Sequence, residues 1–321
     1  MPEAVTLGEL LIDFVSVDKD VALASLPGFS GAAGGAPANV AVGLAKLGVS
    51  SGFIGKVGKD PFGEFLRRTL ADAGVDTELL RVSEGARTTL AFVASRSDGR
   101  KDICFYRNPG ADTLLTAEEV SVSYLKGARL FHFGSVSLSR SPAREATIHA
   151  AVLARRAGLL VSYDPNWRPT LWEDEWEAKG RIWEAMGFAD IVHCAEEEWE
   201  FITGETDLTA GARKILDAGP GLVVVTRGDN GCYFDNGEVR GELAAFPVEV
   251  VDPLGAGDAF VAGMLSQFTY APRIRELTRE QLERVMRYAN AAGALACTRI
   301  GVVPALPTAR ELEQFLAGQD A

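Results

Sequence analysis

The sequence predicts an α/β fold: a mostly parallel sheet with helices on both faces. Strand-like and helix-like segments alternate along the chain, two glycine clusters each open an apolar helix, and a β-rich hairpin interrupts the alternation once. Residues 4–8 read as the first strand. A helix over 37–47 follows, with Pro37 suited to its first turn and Gly48 placed to end it. Then come a strand over 52–55 and a helix over 61–73, closed by Gly74. Residues 88–95 and 101–107 are β-rich runs joined by Ser97-Asp98-Gly99-Arg100, a hairpin signal rather than a helical crossover. Strands over 129–133 and 159–163 flank a helix over 142–157. Residues 222–226 repeat the strand pattern, and long helices over 257–268 and 279–298 complete the alternation.

At 321 residues with 47% apolar content, the chain can fill one large α/β core. Its 32 basic and 44 acidic side chains leave a formal charge of −12, which argues against nucleic acid or an anionic membrane as partner. Cys104, Cys194, Cys232 and Cys297 form no Cys-x-x-Cys pair, so neither zinc nor a disulfide framework is expected. No basic stretch precedes an apolar one at the start, and no apolar run approaches membrane-spanning length. A cytoplasmic enzyme is the expectation.

Asp252-Pro253-Leu254-Gly255-Ala256-Gly257-Asp258 combines an anion cradle with a carboxylate aimed into it. Amides at a helix start point toward an incoming phosphate, and the helix dipole adds positive potential. Asp258, in the first turn, would lie beside that anion and could take a proton from an attacking hydroxyl. The spacing matches neither the dinucleotide fingerprint nor a P-loop. In the earlier cluster, Gly34, Gly35 and Asn39 suit a site that grips hydroxyls, with backbone close to the ligand and an amide offering both donor and acceptor. Asp13 follows an apolar strand end and would accept from such hydroxyls.

These two clusters identify the chain as resembling the PfkB (ribokinase-like) sugar kinases. Gly34, Gly35, Pro37, Asn39, Ala41, Gly48 and Gly58 match the family's amino-terminal signature. Asp252, Gly255, Ala256, Gly257, Asp258, Ala262 and Gly263 match its carboxy-terminal one. The wording between them, including Tyr106-Arg107-Asn108-Pro109 and Tyr163-Asp164-Pro165-Asn166, is most similar to that of fructokinases, and the resemblance covers essentially the whole chain.

The resemblance implies a three-layer αβα sandwich, one domain over 1–321, with a small β lid from about 14–30 and 86–110. It implies transfer of the ATP γ-phosphoryl group to the 6-hydroxyl of a ketose, fructose favoured, with Asp258 as base and Gly255, Ala256 and Gly257 as anion hole. Asp13, Gly34, Gly35 and Asn39 would hold the sugar. Arg107 and Arg168 would lie near the substrate or the transferred phosphate, a surface ion pair being the plainer role for Arg168. Thr226, Gly228 and Gly231 would face the nucleotide. Asn290 would lie near adenine, or else bond neighbouring backbone. Glu198 occupies the last position of the family's Asn-x-x-Glu motif and, with Asp252, would organise hydrated Mg²⁺, although Ala195 replaces the asparagine. ATP and Mg²⁺ are the implied cofactors. K⁺ stays open, because Pro253 and Leu254 replace the usual Thr-Thr while leaving backbone carbonyls in place. A 2-keto-3-deoxygluconate kinase and a catalytically silent binding relative are the alternatives, and a homodimer through the lid is the implied assembly.

Overall fold

The structure is a computed structural model that describes residues 1–25, 27–96, 101–270 and 274–319. In chain order the strands are β1 (Ala4–Leu7), β2 (Leu11–Ser16), β3 (Phe29–Gly34), β4 (Ser51–Gly58), β5 (Leu80–Ser83), β6 (Leu90–Ser95), β7 (Lys101–Tyr106), β8 (Leu130–Gly134), β9 (Leu160–Asp164), β10 (Ile191–Ala195), β11 (Leu222–Thr226), β12 (Cys232–Asp235) and β13 (Arg240–Leu243). The helices are α1 (Ala36–Lys46), α2 (Pro61–Asp72), α3 (Val122–Lys126), α4 (Ala143–Arg156), α5 (Glu175–Met186), α6 (Glu196–Thr203), α7 (Leu208–Asp217), α8 (Ala256–Phe268), α9 (Arg279–Ala296) and α10 (Ala309–Gln319).

The central sheet has nine strands in the order β13-β12-β11-β10-β9-β8-β1-β4-β5. It is parallel from β5 to β11, and the β12–β13 edge turns antiparallel. Strand side chains alternate faces, so each strand feeds two cores. Val5, Phe131, Val161, Val192 and Val223 pack on one side with Ala150 of α4, Ile182 of α5 and Ile215 of α7. Ala4, Leu130, Ile191 and Val224 pack on the other with Leu44 of α1, Val261 of α8 and Met286 of α9. Both faces are covered, as a parallel sheet requires. No helix among the described residues is long and apolar enough to cross a membrane.

The expected elements are present within a few residues of their ends, with two differences. The strand expected over 52–55 runs from Ser51 to Gly58, because its second half continues in register against β5 from Gly55↔Leu80 to Gly58↔Ser83. The lid is a separate four-stranded sheet, ordered β3-β2-β6-β7. Its amino-terminal strands are β2 and β3, so the lid begins at Leu11 and includes Gly34, while the segment expected to form it is largely their connection. The hairpin turn expected at 97–100 lies outside the described residues.

Strand β2 pairs antiparallel with β3 and parallel with β6, which in turn pairs antiparallel with β7. That register divides the lid's side chains. Phe14 stacks on Phe92 at 5.1 Å, and Phe29 and Tyr106 meet Phe92 edge-on. Leu11, Asp13, Val93, Ile103 and Phe105 instead line the cavity between lid and core.

Candidate active site

That cavity, about 350 Å³, lies at the carboxyl ends of the central strands, under the lid and at the first turns of α1 and α8. Ligands of open α/β sheets gather at such strand ends. Packing of the two helices creates its centre. Residues four apart share a helix face, so Asn39 stands one turn above Gly43 on α1 and Asp258 one turn above Ala262 on α8. Gly43 permits the approach: a Cβ there would lie 2.5 Å from the Ala262 Cβ. In consequence the Asn39 amide donates to Asp258 Oδ2 at 2.8 Å, joining the two glycine clusters in one site. Burial pushes the Asp258 carboxyl up to about 7; Asp164 and Asp13 act in the same sense, while the Asn39 bond and Arg168 oppose it.

Gly255 and Gly257 line the cavity, with Gly255 capping α8. Ala256 does not line it, and its amide turns back to the Pro253 carbonyl at 3.3 Å. Gly35 and Asp13 line the cavity as well. At Gly35, with φ +112°, a Cβ would fall 2.3 Å from the Glu9 carbonyl oxygen, so only glycine fits. Gly34 backs the Asp13 carboxylate, which occupies the space where its Cβ would lie. Arg168 lines the cavity and donates to the Trp167 carbonyl.

A polar cluster forms the floor, in which the sequence reading assigned roles to Thr226 and Glu198 but not to Asp164 or His193. Asp164 ends β9, and its carboxylate lies 3.1 Å from His193 Nδ1 on β10. His193 Nε2 in turn lies 3.2 Å from Thr226 Oγ1 at the end of β11. Burial works against both charges, but their mutual attraction and the charges around them together outweigh it: the Asp164 carboxyl sits below its ordinary range, helped by His132 and Arg168, and the His193 imidazole above its own, helped by Glu198 and Asp258. Glu198, in the first turn of α6, accepts from the Trp167 and Ala195 amides, and burial pushes its carboxyl up to about 7. Glu9, also unassigned by sequence, lines the opposite side. The signal for Glu9 and His193 was present in the chain: each is a single polar residue beside or within an apolar run near a strand's carboxyl end.

The structure places five expected residues elsewhere. Arg107 is buried and paired with Asp112 through Nε at 2.7 Å, and it donates to Ser139 Oγ and the Val136 carbonyl. Its guanidinium is thus committed to joining the end of β7 to the loop after β8, and it does not itself line the cavity. Asp252 accepts from the Leu254 and Gly301 amides, so its carboxylate shapes the loop before α8 rather than lining the cavity. The Asn290 amide donates to the Leu243 and Ala244 carbonyls, which is the backbone role. Gly228 and Gly231 form the turn between β11 and β12 and do not line the cavity. Among the described residues, no cluster of three or more His, Cys, Asp or Glu side chains is arranged to hold a metal directly.

Comparison with known proteins agrees with this geometry. Residues 1–309 match the model of the pfkB family carbohydrate kinases. The chain is 44% identical to fructokinase-1 of Oryza sativa subsp. japonica, over 97% of each chain. It superposes on the ATP-bound fructokinase of Xylella fastidiosa with a TM-score of 0.91 and 34% identity, covering 100% of both. The Vibrio cholerae fructokinase double mutant bound to fructose, ADP and potassium gives 0.87 and 33%, covering 98% of each. A half-buried acid in a helix's first turn, a glycine loop and Asn39 facing it and a match over nearly the whole length agree: the chain belongs to the pfkB family of carbohydrate kinases.

Proposed function

We propose that this protein is an ATP-dependent fructokinase that phosphorylates the 6-hydroxyl of fructose, with Asp258 as general base. The observation that carries the reading is the Asn39–Asp258 hydrogen bond of 2.8 Å, which fixes the acid between the sugar loop and the α8 amides. Asp258, deprotonated at neutral pH part of the time, takes the hydroxyl proton as the phosphoryl group moves. The Gly255 and Gly257 backbone at the helix start stabilises the negative charge, and Arg168 adds a cation on the same cavity wall. Thr226 faces the nucleotide side, oriented by His193, with Gly228 and Gly231 shaping the turn beyond it.

The cavity fits a hydrated magnesium ion better than a directly ligated one. Both oxygens of Glu198 already accept an amide, and each keeps a lone pair for a metal-bound water. When bound, the ion neutralises the polyphosphate. Potassium belongs to the same reading, by likeness to the potassium-bound Vibrio cholerae enzyme.

A neutral ketose suits the sugar side better than a sugar acid. Glu9, Asp13 and Asp258 all line that cavity, so a substrate carboxylate would meet repulsion as well as desolvation. Arg107, one of the two arginines able to offset this, is held by Asp112. A coupled assay with purified enzyme and a sugar panel tests the reading. Fructose is expected to exceed 2-keto-3-deoxygluconate in kcat/KM by at least about tenfold, a gap of about 1.4 kcal/mol. Asp13→Ala should remove most of that preference. An enzyme that favours the sugar acid, or a preference indifferent to Asp13, overturns it.

A further inference from the structure

Glu9 is a second carboxyl on the sugar side whose chemistry the reaction above leaves unused. It lies where the chain leaves β1 for lid strand β2, is 4% exposed, and lines the same cavity as Asp13, Gly35 and Asn39. Oε1 accepts from the Ala36 amide at 3.0 Å, which holds the start of α1 next to the Gly35 turn. Oε2 is buried and has no hydrogen-bond partner among the protein's own atoms. Buried side-chain oxygens are nearly always paired, and an unpaired one carries a desolvation cost. A purely structural glutamate at this place would need only the first oxygen.

We propose that Glu9 is a further sugar-binding and specificity-determining residue: Oε1 fixes the Ala36 amide while Oε2 pairs with one hydroxyl of the acceptor sugar. The proposal rests on the sugar-kinase reading above. Ligand binding then satisfies the oxygen that the empty protein leaves unpaired, and a sugar lacking that hydroxyl cannot do so. Sites built to bond a hydroxyl reject the analogue without it far more strongly than apolar pockets reject a missing methylene. Burial also pushes the Glu9 carboxyl up to about 7, with backbone amides and then Arg107 opposing and Asp112 reinforcing, so near neutrality it can either donate to or accept from a hydroxyl.

The test compares wild type with Glu9→Gln and Glu9→Ala on a series of singly deoxygenated versions of whichever panel sugar the wild type phosphorylates. Glutamine keeps a carbonyl for the Ala36 amide, so the α1 entrance survives, while thermal unfolding reports whether each variant folds. In wild type, one deoxy analogue should lose roughly 10²-fold or more in kcat/KM. Glu9→Ala should narrow that one ratio by at least about tenfold and leave the ratios for the other hydroxyls unchanged. Glu9→Gln should alter the same ratio alone, with KM for ATP within about twofold of wild type. If Glu9→Ala does not fold, the Gln variant decides. Ratios that stay at wild-type values, or that all fall together, overturn the assignment and leave Glu9 a support for Ala36. A wild type that phosphorylates a sugar other than fructose overturns the fructose reading alone, because the Glu9 comparison is then made on that sugar.

Discussion

At the scale of single residues, the site depends on a carboxyl held close to its switching point. Asp258 is raised to about 7 chiefly by burial, so a lower pH fills the base with a proton and a higher pH frees it. If Asp258 is the base, kcat/KM falls about tenfold per pH unit below roughly 7 and levels above it. Asp258→Asn should lower kcat by about 10²-fold to 10⁴-fold while nucleotide affinity stays close to wild type. A flat profile between pH 5.5 and 8, or lost affinity with unchanged turnover, removes Asp258 from that role. Asp258, Asn39 and Gly35 were legible because glycine clusters and acidic first turns are local patterns. The pairing of Asp164 with His193 was not, because it is a 3.1 Å approach between two neighbouring strands. Arg107 was misplaced for the same reason: its sequence neighbours suggest a substrate arginine, while Ser139 and the Val136 carbonyl, both distant in sequence, bind it.

At the scale of elements, Arg107 anchors the lid. It ends the hairpin, and its bonds to Asp112, Ser139 and Val136 connect that hairpin to the core beside a cavity-lining residue. The pair is buried, with side chains 4% and 2% exposed. Removing one member of a buried pair strands the other, at a cost of about 3–5 kcal/mol, whereas replacing both with apolar groups can be nearly neutral. Arg107→Met alone should therefore lower the unfolding free energy by about that amount, and Arg107→Met with Asp112→Leu should recover most of it. The double variant still lacks the bonds to Ser139 and Val136, so its sugar KM should stay raised and its ATP hydrolysis without sugar should increase. Recovery of both kinetic values together with stability would make the anchor structural only. The helices were legible from their period and caps, as with Pro37 and Gly74. The lid strands were harder to bound, because Leu11–Ser16 alternates against β3 and β6, whose residues lie about 20 and 80 positions later.

At the scale of the molecule, the alternating pattern fixed the parallel sheet and both covering layers. The edge strands β12 and β13 escaped it, since a short antiparallel return carries no helix to mark it. Charge is the remaining whole-molecule property, and it sets a problem for a kinase. The chain carries −12, and Glu9, Asp13, Asp164, Glu197, Glu198 and Asp258 line a cavity whose lining includes one arginine, Arg168. An anionic nucleotide therefore approaches against a long-range field, and its favourable contacts begin only at short range. Screening acts on the first far more than on the second: the Debye length shrinks from ~30 Å at 0.01 M to ~8 Å at 0.15 M. With magnesium in fixed excess and sugar saturating, kcat/KM for ATP is therefore expected to rise at least about twofold between those ionic strengths. The value for neutral fructose at saturating ATP should stay level across the same range, because an uncharged acceptor feels no such field. A nucleotide value that falls with salt would mean that local cations govern the approach, and would place the dominant electrostatic control at Arg168 and the α8 amides instead of in the net charge.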